Sequence, residues 1–302
     1  MRSPSAFAIR SLLLLVVVGA GVAAAIILGR GTPNPPANPP ATTARIVSLS
    51  PAIAVMLRDL GLQDRIVGRD GYDMVLPASV PVCGDLQGID YERLMQVRPT
   101  HILLQLGARA IPDRLTELTA AQGWKAINYP LLTLDDIRSV TQELGRTFGT
   151  PAAPLVAEMD RAWSRRGVGF AGAGRVLLMA GTDPPSAFGP GSCHHQVLER
   201  IGGTPAIREG AVYITLDAED VLKLQPDAII LILPRSAGAA SPRATVEQVR
   251  ATFGRLAQLD IPAFKNSRMA MIDDPLAHTP STAMIQLADD MAGILADWNE
   301  TR

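Results

Sequence analysis

Two stretches of the chain, residues 90–104 and 217–231, carry the same pattern of residue types and align without a gap. Each begins with an aspartate that suits a helix N-cap, continues with apolar residues at helical spacing, and reaches a proline that ends a helix, Pro99 or Pro226. An apolar run follows, which is typical of a buried strand. The pattern therefore predicts a helix and a buried strand at two places, and it indicates a chain of two similar halves.

Short apolar runs alternate with helical patterns on both sides of these segments. Strands that alternate with helices imply mostly parallel sheets covered by helices. We predict an α/β fold of two doubly wound parallel-sheet lobes, residues 45–150 and 169–302, joined by one long helix at residues 151–168. The connecting helix contains no Gly/Pro-rich hinge before Gly167, so we expect a stiff molecule with limited cleft closure.

The N-terminal residues predict a membrane or export segment. Arg2 and Arg10 precede an uncharged run, residues 11–28, and a helix of that length spans about 27 Å, close to the hydrocarbon thickness of a bilayer. The arginines favour a cytoplasmic N-terminus and an exported body. Residues 1–30 are therefore either an uncleaved transmembrane anchor or a cleaved secretory signal. Residues 31–44 are rich in proline and predict an extended linker.

Charge and composition exclude one class of partner. The chain has 28 Lys and Arg residues against 29 Asp and Glu residues, a formal net charge of −1, and no long basic stripe. Nucleic-acid binding depends on a concentrated positive surface, so we expect no nucleic-acid partner. The chain has 302 residues, of which 47% are hydrophobic, so it can bury a large core.

Four predicted loops bring together the residues that suit ligand binding. In doubly wound sheets, ligands meet the loops at the carboxyl ends of strands, and here those loops are residues 69–73, 82–85, 188–195 and 273–278. They contain three of the four histidines, both cysteines and several carboxylates. The candidate ligand-binding residues are Tyr72, Cys83, Asp85, His194, His195, Asp274 and His278.

Imidazole, thiolate and carboxylate groups are ligands of transition metals, and an iron or cobalt centre in a chelate can keep an axial position for one of them. One hypothesis is that His194, His195 or His278 contacts a metal or a polar ligand group. The alternative is that each imidazole caps a helix or bonds within its loop. Cys83 and Cys193 are either bridged or free thiols. Neighbouring positions at a helix start are not expected to bring the Cys193 sulfur to an imidazole, so we predict no catalysis.

At residues 45–51 the chain resembles the opening of periplasmic binding proteins for cobalamin, ferric siderophores and haem, and the resemblance extends over about residues 45–295. It continues through residues 61–62, 66–68, 82–84, 98–100 and 196–203. It implies two lobes joined by one long helix, a ligand in the cleft between them, and docking onto an importer permease. The match is closest to the cobalamin-binding branch, which presents aromatic side chains to the corrin; here only Tyr72 stands at such a place.

The resemblance predicts a non-enzymatic solute-binding protein of an ABC importer, with no intrinsic cofactor. Its cargo is expected to be a cobalt or iron chelate, delivered to permease and ATPase subunits. An acidic residue on each lobe is expected to pair with permease arginines, with Asp64 and Glu209 as candidates. The expected location is the periplasmic face of the cytoplasmic membrane, anchored by residues 11–28, or the periplasm after signal cleavage. A membrane-anchored sensor or scaffold is the alternative, and an envelope enzyme using the Cys193 loop is a third.

Overall fold

Two β-sheets with helices on their faces organise the chain in the computed structural model, which describes residues 43–85, 87–236 and 244–300. The predicted membrane segment, residues 11–28, lies outside the described residues, as does nearly all of the predicted linker, residues 31–44. Within the described ranges, no helix is both long and apolar enough to cross a membrane.

The first sheet has the strand order β4-β3-β2-β1-β5-β6. Its strands are β1 (Ile46–Leu49), β2 (Ile66–Asp70), β3 (Val82–Asp85), β4 (Gly88–Ile89), β5 (His101–Leu104) and β6 (Lys125–Asn128). Its helices are α1 (Pro51–Asp59), α2 (Tyr91–Val97), α3 (Asp113–Gln122) and α4 (Leu134–Phe148). All strand pairs are parallel except β3 with β4. The strand order reverses between β1 and β5, which makes this sheet doubly wound.

The second sheet has the order β10-β8-β7-β11-β12, and β9 also pairs with β7. Its strands are β7 (Arg175–Thr182), β8 (Pro185–Phe188), β9 (Thr204–Pro205), β10 (Tyr213–Thr215), β11 (Ala228–Ile232) and β12 (Met269–Ile272). Its helices are α6 (Cys193–Ile201), α7 (Ala218–Leu224), α8 (Val246–Thr252), α9 (Pro262–Lys265) and α10 (Met284–Glu300). Strand β11 is parallel to both β7 and β12, whereas β8 is antiparallel to β7 and to β10.

The repeated sequence pattern forms the same local structure in both sheets, as predicted. Asp90 and Asp217 cap α2 and α7, each accepting a backbone N–H three residues ahead. Both helices end on a residue in the left-handed region, Arg98 with φ 45° and Gln225 with φ 43°. A proline follows each cap, and the chain enters β5 or β11. The helix and buried strand predicted for each half are confirmed.

A helix pair carries the chain from the first sheet to the second. After α4 the chain turns back into α5 (Ala153–Ala162), and Arg138 on α4 bonds Asp160 on α5 at 3.0 Å. Helix α5 is shorter than the predicted connecting range, residues 151–168. The chain leaves the helix at Trp163, and Gly167 and Gly169 have φ of 54° and 85°, a backbone conformation that ends helical structure.

Of the three hydrophobic clusters among the described residues, the largest runs through both lobes and the other two each lie within one lobe. A single cluster of buried side chains joins α1, α4 and α5 to α6 and α10 of the second sheet, and residues 44–302 form one compact unit. Polar contacts reinforce it: the Trp163 indole donates to the Met284 carbonyl oxygen at 3.1 Å, and the Thr282 hydroxyl donates to the Asp59 carboxylate. Because each fully buried Leu, Ile or Met contributes about 1.5–3 kcal/mol, we expect this core to resist movement of one lobe against the other.

Candidate ligand-binding site

The reversal point of the first sheet, between β1 and β5, is closed by side-chain hydrogen bonds. Ser50 caps α1 by accepting the Ile53 N–H, and its hydroxyl donates to Gln105 Oε1 at 2.7 Å. The Gln105 amide in turn reaches the Leu131 carbonyl oxygen at 3.5 Å. Ser50, Gln105 and Leu131 follow three neighbouring strands, so these bonds tie together the loops at the carboxyl edge.

Asn128 performs a similar role for the loop after β5. Its Oδ1 accepts the Leu106 N–H at 2.7 Å, while its amide donates to the carbonyl oxygens of Gly107 and Arg109 at 3.1 and 3.3 Å. One side chain therefore fixes three backbone groups of the loop. No sequence pattern predicts this role, because an asparagine at a strand end is also typical of an ordinary turn.

The loop after β2 exposes Tyr72, and two carboxylates of the loop accept hydrogen bonds from its backbone N–H groups. Asp70 is buried and accepts the Tyr72 N–H at 2.8 Å, while Asp73 accepts the N–H groups of Val75 and Leu76. Burial raises the pKa of Asp70, and the Tyr72 N–H partly offsets this. The Tyr72 side chain is 55% exposed, so it is available to a ligand.

Two other residues of this lobe that were predicted to contact a ligand, Asp85 and Cys83, differ in solvent exposure. Asp85 is exposed; its carboxylate accepts the Gln87 N–H at 2.7 Å, and its charge adds to the rise in the pKa of Asp70. Cys83 is fully buried and packs against Gly68, where an added Cβ would clash with the sulfur. Burial raises the pKa of the Cys83 thiol to about 11. The structure therefore turns Cys83 into the core, away from any ligand in solution.

His194 lies inside the second lobe. Its ring is buried and stacks on the Phe188 ring, with 3.7 Å between the ring centroids. Its Nε2 donates to the Ala277 carbonyl oxygen at 2.8 Å. Burial lowers the pKa of His194 to about 4, so the ring is neutral at pH 7. The Cys193 sulfur lies 3.4 Å from Nδ1, which sequence adjacency did not predict. Burial raises the pKa of that thiol to about 12, so Cys193 is not an activated nucleophile.

The other two predicted histidines also bond the backbone. His195 is buried and donates from Nε2 to the Ile207 carbonyl oxygen at 3.0 Å. Its Nδ1 is buried 3.4 Å from the Glu199 carboxylate, outside hydrogen-bonding geometry. His278 is more exposed and donates from Nε2 to the Ile232 carbonyl oxygen at 2.8 Å, at the end of β11. Each of the three imidazoles therefore makes one Nε2 hydrogen bond to a backbone carbonyl oxygen inside the protein.

The structure does not bring the three predicted metal ligands to one point. His194 and His278 are adjacent, with ring centroids 6.2 Å apart and nearly perpendicular planes. His195 points elsewhere, to the loop at Ile207. Across residues 43–85, 87–236 and 244–300, no group of three His, Cys, Asp or Glu side chains has the arrangement of a metal site. Asp274, the remaining candidate, accepts the Leu276 N–H at 2.8 Å and so shapes its own loop.

Two aromatic residues that sequence reasoning missed join the histidines in a ring cluster, defined here as Phe188, His194, Tyr213 and His278. Phe188 stands at its centre, 5.3 Å from His278 and 6.4 Å from Tyr213 between ring centroids. Tyr213 is 54% exposed and its hydroxyl donates to Ser186 at 2.7 Å. The pairing of Phe188 with Tyr213 depends on the β8–β10 register, which local sequence does not reveal.

The loops at the carboxyl edges expose apolar side chains on both lobes. In the first lobe these are Tyr72 and Leu132, which follow β2 and β6; in the second, Leu233 follows β11 at 40% exposure, beside the ring cluster. Leu132 is 56% exposed. These exposed apolar residues at the strand ends of both sheets favour contact with an apolar or aromatic molecule there.

Two contacts join the start of α4, after the first sheet, to α6 of the second lobe. Leu134, which begins α4 shortly after β6, donates its N–H to Gln196 on the first turn of α6 at 2.9 Å. One turn further, Arg200 pairs with Asp135 at 2.9 Å. The end of the first sheet is thereby fixed against the helix that carries His194.

Comparison with known proteins decides the family. A family model described as periplasmic binding protein matches residues 46–276, most of the chain. The chain belongs to the periplasmic binding protein family. The family consists of solute-binding proteins of the ABC-importer type, and it places this periplasmic binding protein in the periplasm or outside the cell.

Solved structures agree on the fold. The periplasmic heme-binding protein HutB of Vibrio cholerae is 19% identical, with a TM-score of 0.67, over 84% of this chain and 99% of that one. The periplasmic vitamin B12-binding protein BtuF of Vibrio cholerae is 17% identical, with a TM-score of 0.61, over 86% and 99%. IsdE of S. aureus, complexed with heme, is 21% identical, with a TM-score of 0.60, over 83% and 98%. At these identities the likeness defines the fold of this periplasmic binding protein, not its ligand.

Proposed function

We propose that this protein captures a metal-chelate nutrient, a cobalamin, haem or ferric siderophore, between the carboxyl edges of its two sheets and delivers it to an importer permease. The observation that carries the proposal is the exposure of Tyr72 and Leu132 at strand ends of one lobe and of Leu233 at a strand end of the other, with Tyr213 exposed in the ring cluster. A metal chelate of this class has a large, partly apolar face. Such a face gains free energy by covering exposed aromatic and aliphatic side chains.

The similar structures support this ligand class through what their names state. HutB and IsdE are heme-binding proteins, and BtuF binds vitamin B12. All three share this chain's fold over nearly their whole length. A planar or near-planar macrocycle also matches the exposed rings at the strand ends. Among the residues predicted from sequence, Tyr72, Asp85 and His278 are exposed and therefore accessible for such contact.

Tyr72 also offers a chemical distinction between ligands. A phenolate oxygen is an axial ligand of ferric iron in some haem proteins, whereas a corrin or a siderophore would use the ring only as an apolar surface. Tyr72→Phe keeps the ring and removes the oxygen. Loss of a haem absorption signature in Tyr72→Phe, with affinity for the other ligands retained, would identify iron ligation.

Ligand capture is tested by a thermal-shift screen of the purified protein with cobalamin, haem, ferric siderophores and divalent metal ions. A ligand that binds only the folded state raises its stability by RT ln(1 + [L]/Kd), about 2.7 kcal/mol at a hundredfold excess over Kd. We expect a large shift with one chelate and a smaller one in Tyr72→Ala. Absence of any shift would overturn ligand capture and favour the sensor or scaffold function.

Delivery requires contact with a permease and an ATPase. Asp64 and Glu209, the acidic residues predicted to pair with permease arginines, are both exposed. Residues 11–28 would hold the protein at the periplasmic face of the membrane. Transport of the identified ligand by proteoliposomes that contain the permease and ATPase, with and without this protein, measures delivery directly. Transport that does not depend on this protein would contradict the proposal.

A further inference from the structure

His195 is a buried histidine with one ring nitrogen that lacks a partner. The residue is 4% exposed, and its Nε2 donates to the Ile207 carbonyl oxygen at 3.0 Å. Since a carbonyl oxygen can only accept, this bond places the imidazole proton on Nε2 and a lone pair on Nδ1. Nδ1 is shielded from solvent and has no hydrogen-bond partner among the described residues. Buried polar atoms normally have partners, so this lone pair requires an explanation.

The group that faces this lone pair is a carboxylate. In the neighbouring His194, Nδ1 lies 3.4 Å from the Cys193 sulfur, whose S–H is a weak donor. In His195, Nδ1 lies 3.4 Å from Oε2 of Glu199. A carboxylate oxygen and a ring lone pair are both acceptors, so they repel each other in direct contact. A positive group between the two atoms would turn the repulsion into attraction.

The distance between the two atoms decides which positive group fits. A proton shared by nitrogen and oxygen requires about 2.7–3.2 Å, so the 3.4 Å between Nδ1 and Oε2 is too long. Two adjacent ligand atoms on an octahedral magnesium ion lie about 3.0 Å apart, which is too short. On a tetrahedral zinc ion, with bonds of about 2.0–2.2 Å, two ligand atoms lie about 3.3–3.5 Å apart. The observed separation is that of two ligands on one tetrahedral ion.

The surroundings of His195 are also those of a metal ligand. A histidine that binds a metal through one nitrogen usually donates from the other to a carbonyl oxygen or carboxylate, which fixes the ring, and Ile207 supplies such a carbonyl. His195 and Glu199 lie one turn apart on α6, so their side chains share a face. The Glu199 side chain is 55% exposed and forms no ion pair with an arginine or lysine of the described ranges. An ion can therefore reach the pair from solvent.

We propose that Nδ1 of His195 and the carboxylate of Glu199 bind one zinc ion, with water molecules completing a tetrahedral shell. Imidazole and carboxylate suit zinc, whereas magnesium and calcium prefer oxygen ligands alone. The ion resides on α6 and is not the cargo, so this site goes beyond the proposed function. Zinc at Nδ1 makes the Nε2–H a stronger donor to Ile207, and thereby holds the loop after β9 against α6.

The test is isothermal titration of the full-length protein, freed of metal with a chelator, with zinc chloride. We expect one zinc ion per chain and no binding of magnesium. His195→Gln lacks Nδ1 but keeps an amide N–H for Ile207, and it should weaken zinc binding at least tenfold. Glu199→Gln keeps the shape of the side chain and removes its charge, and it should weaken binding about tenfold.

Two matched controls keep the chemistry of each substitution away from the proposed site. His101→Gln replaces a histidine whose Nδ1 lies 2.9 Å from the Thr100 hydroxyl, and Glu117→Gln replaces an exposed helical glutamate on α3. Both should bind zinc like the unmodified protein. Zinc should also raise the midpoint of thermal unfolding of the unmodified protein and of both controls, but not of His195→Gln.

Each other result would overturn the site. Failure of the unmodified protein to bind zinc, or equal zinc binding by His195→Gln, would exclude it. Loss of binding in His195→Gln with none in Glu199→Gln would contradict the two-ligand arrangement. Loss in Tyr72→Ala would move the ion to the loops at the strand ends. Should His195→Gln not fold, Glu199→Gln decides, because its side chain is exposed. The titration contains no chelate, so its outcome is independent of ligand capture.

Discussion

The two lobes fix the loops at their strand ends by different means. In the first lobe, Ser50 and Asn128 bond loop residues through short polar side chains, and Tyr72 is left exposed. In the second lobe, the rings of His194 and Phe188 stack. The imidazole of each predicted histidine there donates to a backbone carbonyl oxygen. A chemically versatile residue in a strand-end loop is therefore not by itself a ligand contact. What decides is whether its polar atoms already have partners inside the protein.

Removing His194 tests this difference most severely. We expect His194→Ala to lower the free energy of unfolding by about 3–5 kcal/mol, because it leaves a cavity beside Phe188 and an unpaired Ala277 carbonyl oxygen. Chemical denaturation measures the change. In His194→Gln, an amide N–H can restore part of the bond and should lose less. A His194→Ala protein of unchanged stability that no longer binds ligand would make His194 a binding residue after all.

Acid tests the same buried imidazole without a substitution. The pKa of His194 in the folded protein is about 4, below its ordinary value of 6.5, so folding favours the neutral ring. The stabilisation is complete above about pH 6.5 and is lost as the pH falls towards 4, in total about 3 kcal/mol. Denaturation at a series of pH values should show this decline, and His194→Gln should flatten it. An equal decline in both proteins would assign the effect to other groups.

Tyr72 should show the opposite behaviour. Tyr72→Ala is expected to weaken chelate binding about tenfold, because the exposed ring covers apolar ligand surface. Its free energy of unfolding should change by less than about 0.5 kcal/mol, as is usual for exposed side chains. Isothermal titration and denaturation of the same sample measure both quantities. A destabilisation as large as that of His194→Ala would remove the contrast between the lobes.

The buried Asp70 carboxylate, which lies next to Tyr72, is expected to destabilise the folded protein slightly. Burial raises the pKa of Asp70 above its ordinary value, so the ionised form is penalised in the folded state and stability rises as the pH falls through that raised pKa. Asp70→Asn keeps an oxygen for the Tyr72 N–H and removes the charge. We expect a gain below about 1 kcal/mol at pH 7, measured by denaturation. A loss would mean that the negative charge itself holds the loop.

The two cysteine thiols should make no difference to thermal stability with and without a reducing agent. Cys83 and Cys193 are free and buried, with pKa values raised to about 11 and about 12. The midpoint of thermal unfolding should therefore be the same with and without a reducing agent, and iodoacetamide should label the cysteines only after unfolding. A midpoint that falls on reduction would reveal a disulfide.

Sequence patterns predicted the parts of this molecule that depend on local order. The repeat at residues 90–104 and 217–231 gave the right helices and strands, because caps, a proline and an apolar run are encoded within a few residues. The limits of α5 were predicted less well, since the chain leaves the helix before Gly167. The loops at strand ends were also found, but not which way their side chains point.

Side-chain direction depends on packing between distant residues, which no local pattern records. Phe188 meets Tyr213 only through the strand register, and His194 meets Ala277 across more than eighty residues. Tyr213 was missed for that reason. One signal was available: Tyr213 lies in a short strand four residues before the second copy of the repeat, and alternate residues of a strand face opposite sides of its sheet.

We expect the core shared by the two lobes to make them a single cooperative folding unit. Neither sheet can open by itself without uncovering apolar helix faces that pack against the other lobe. A chain with one folded lobe and one unfolded lobe is therefore much less stable than the fully folded chain. A protein outside the cytoplasm meets proteases without the chaperones that use ATP. For such a protein, all-or-none unfolding keeps cleavable partly folded forms scarce throughout its working life.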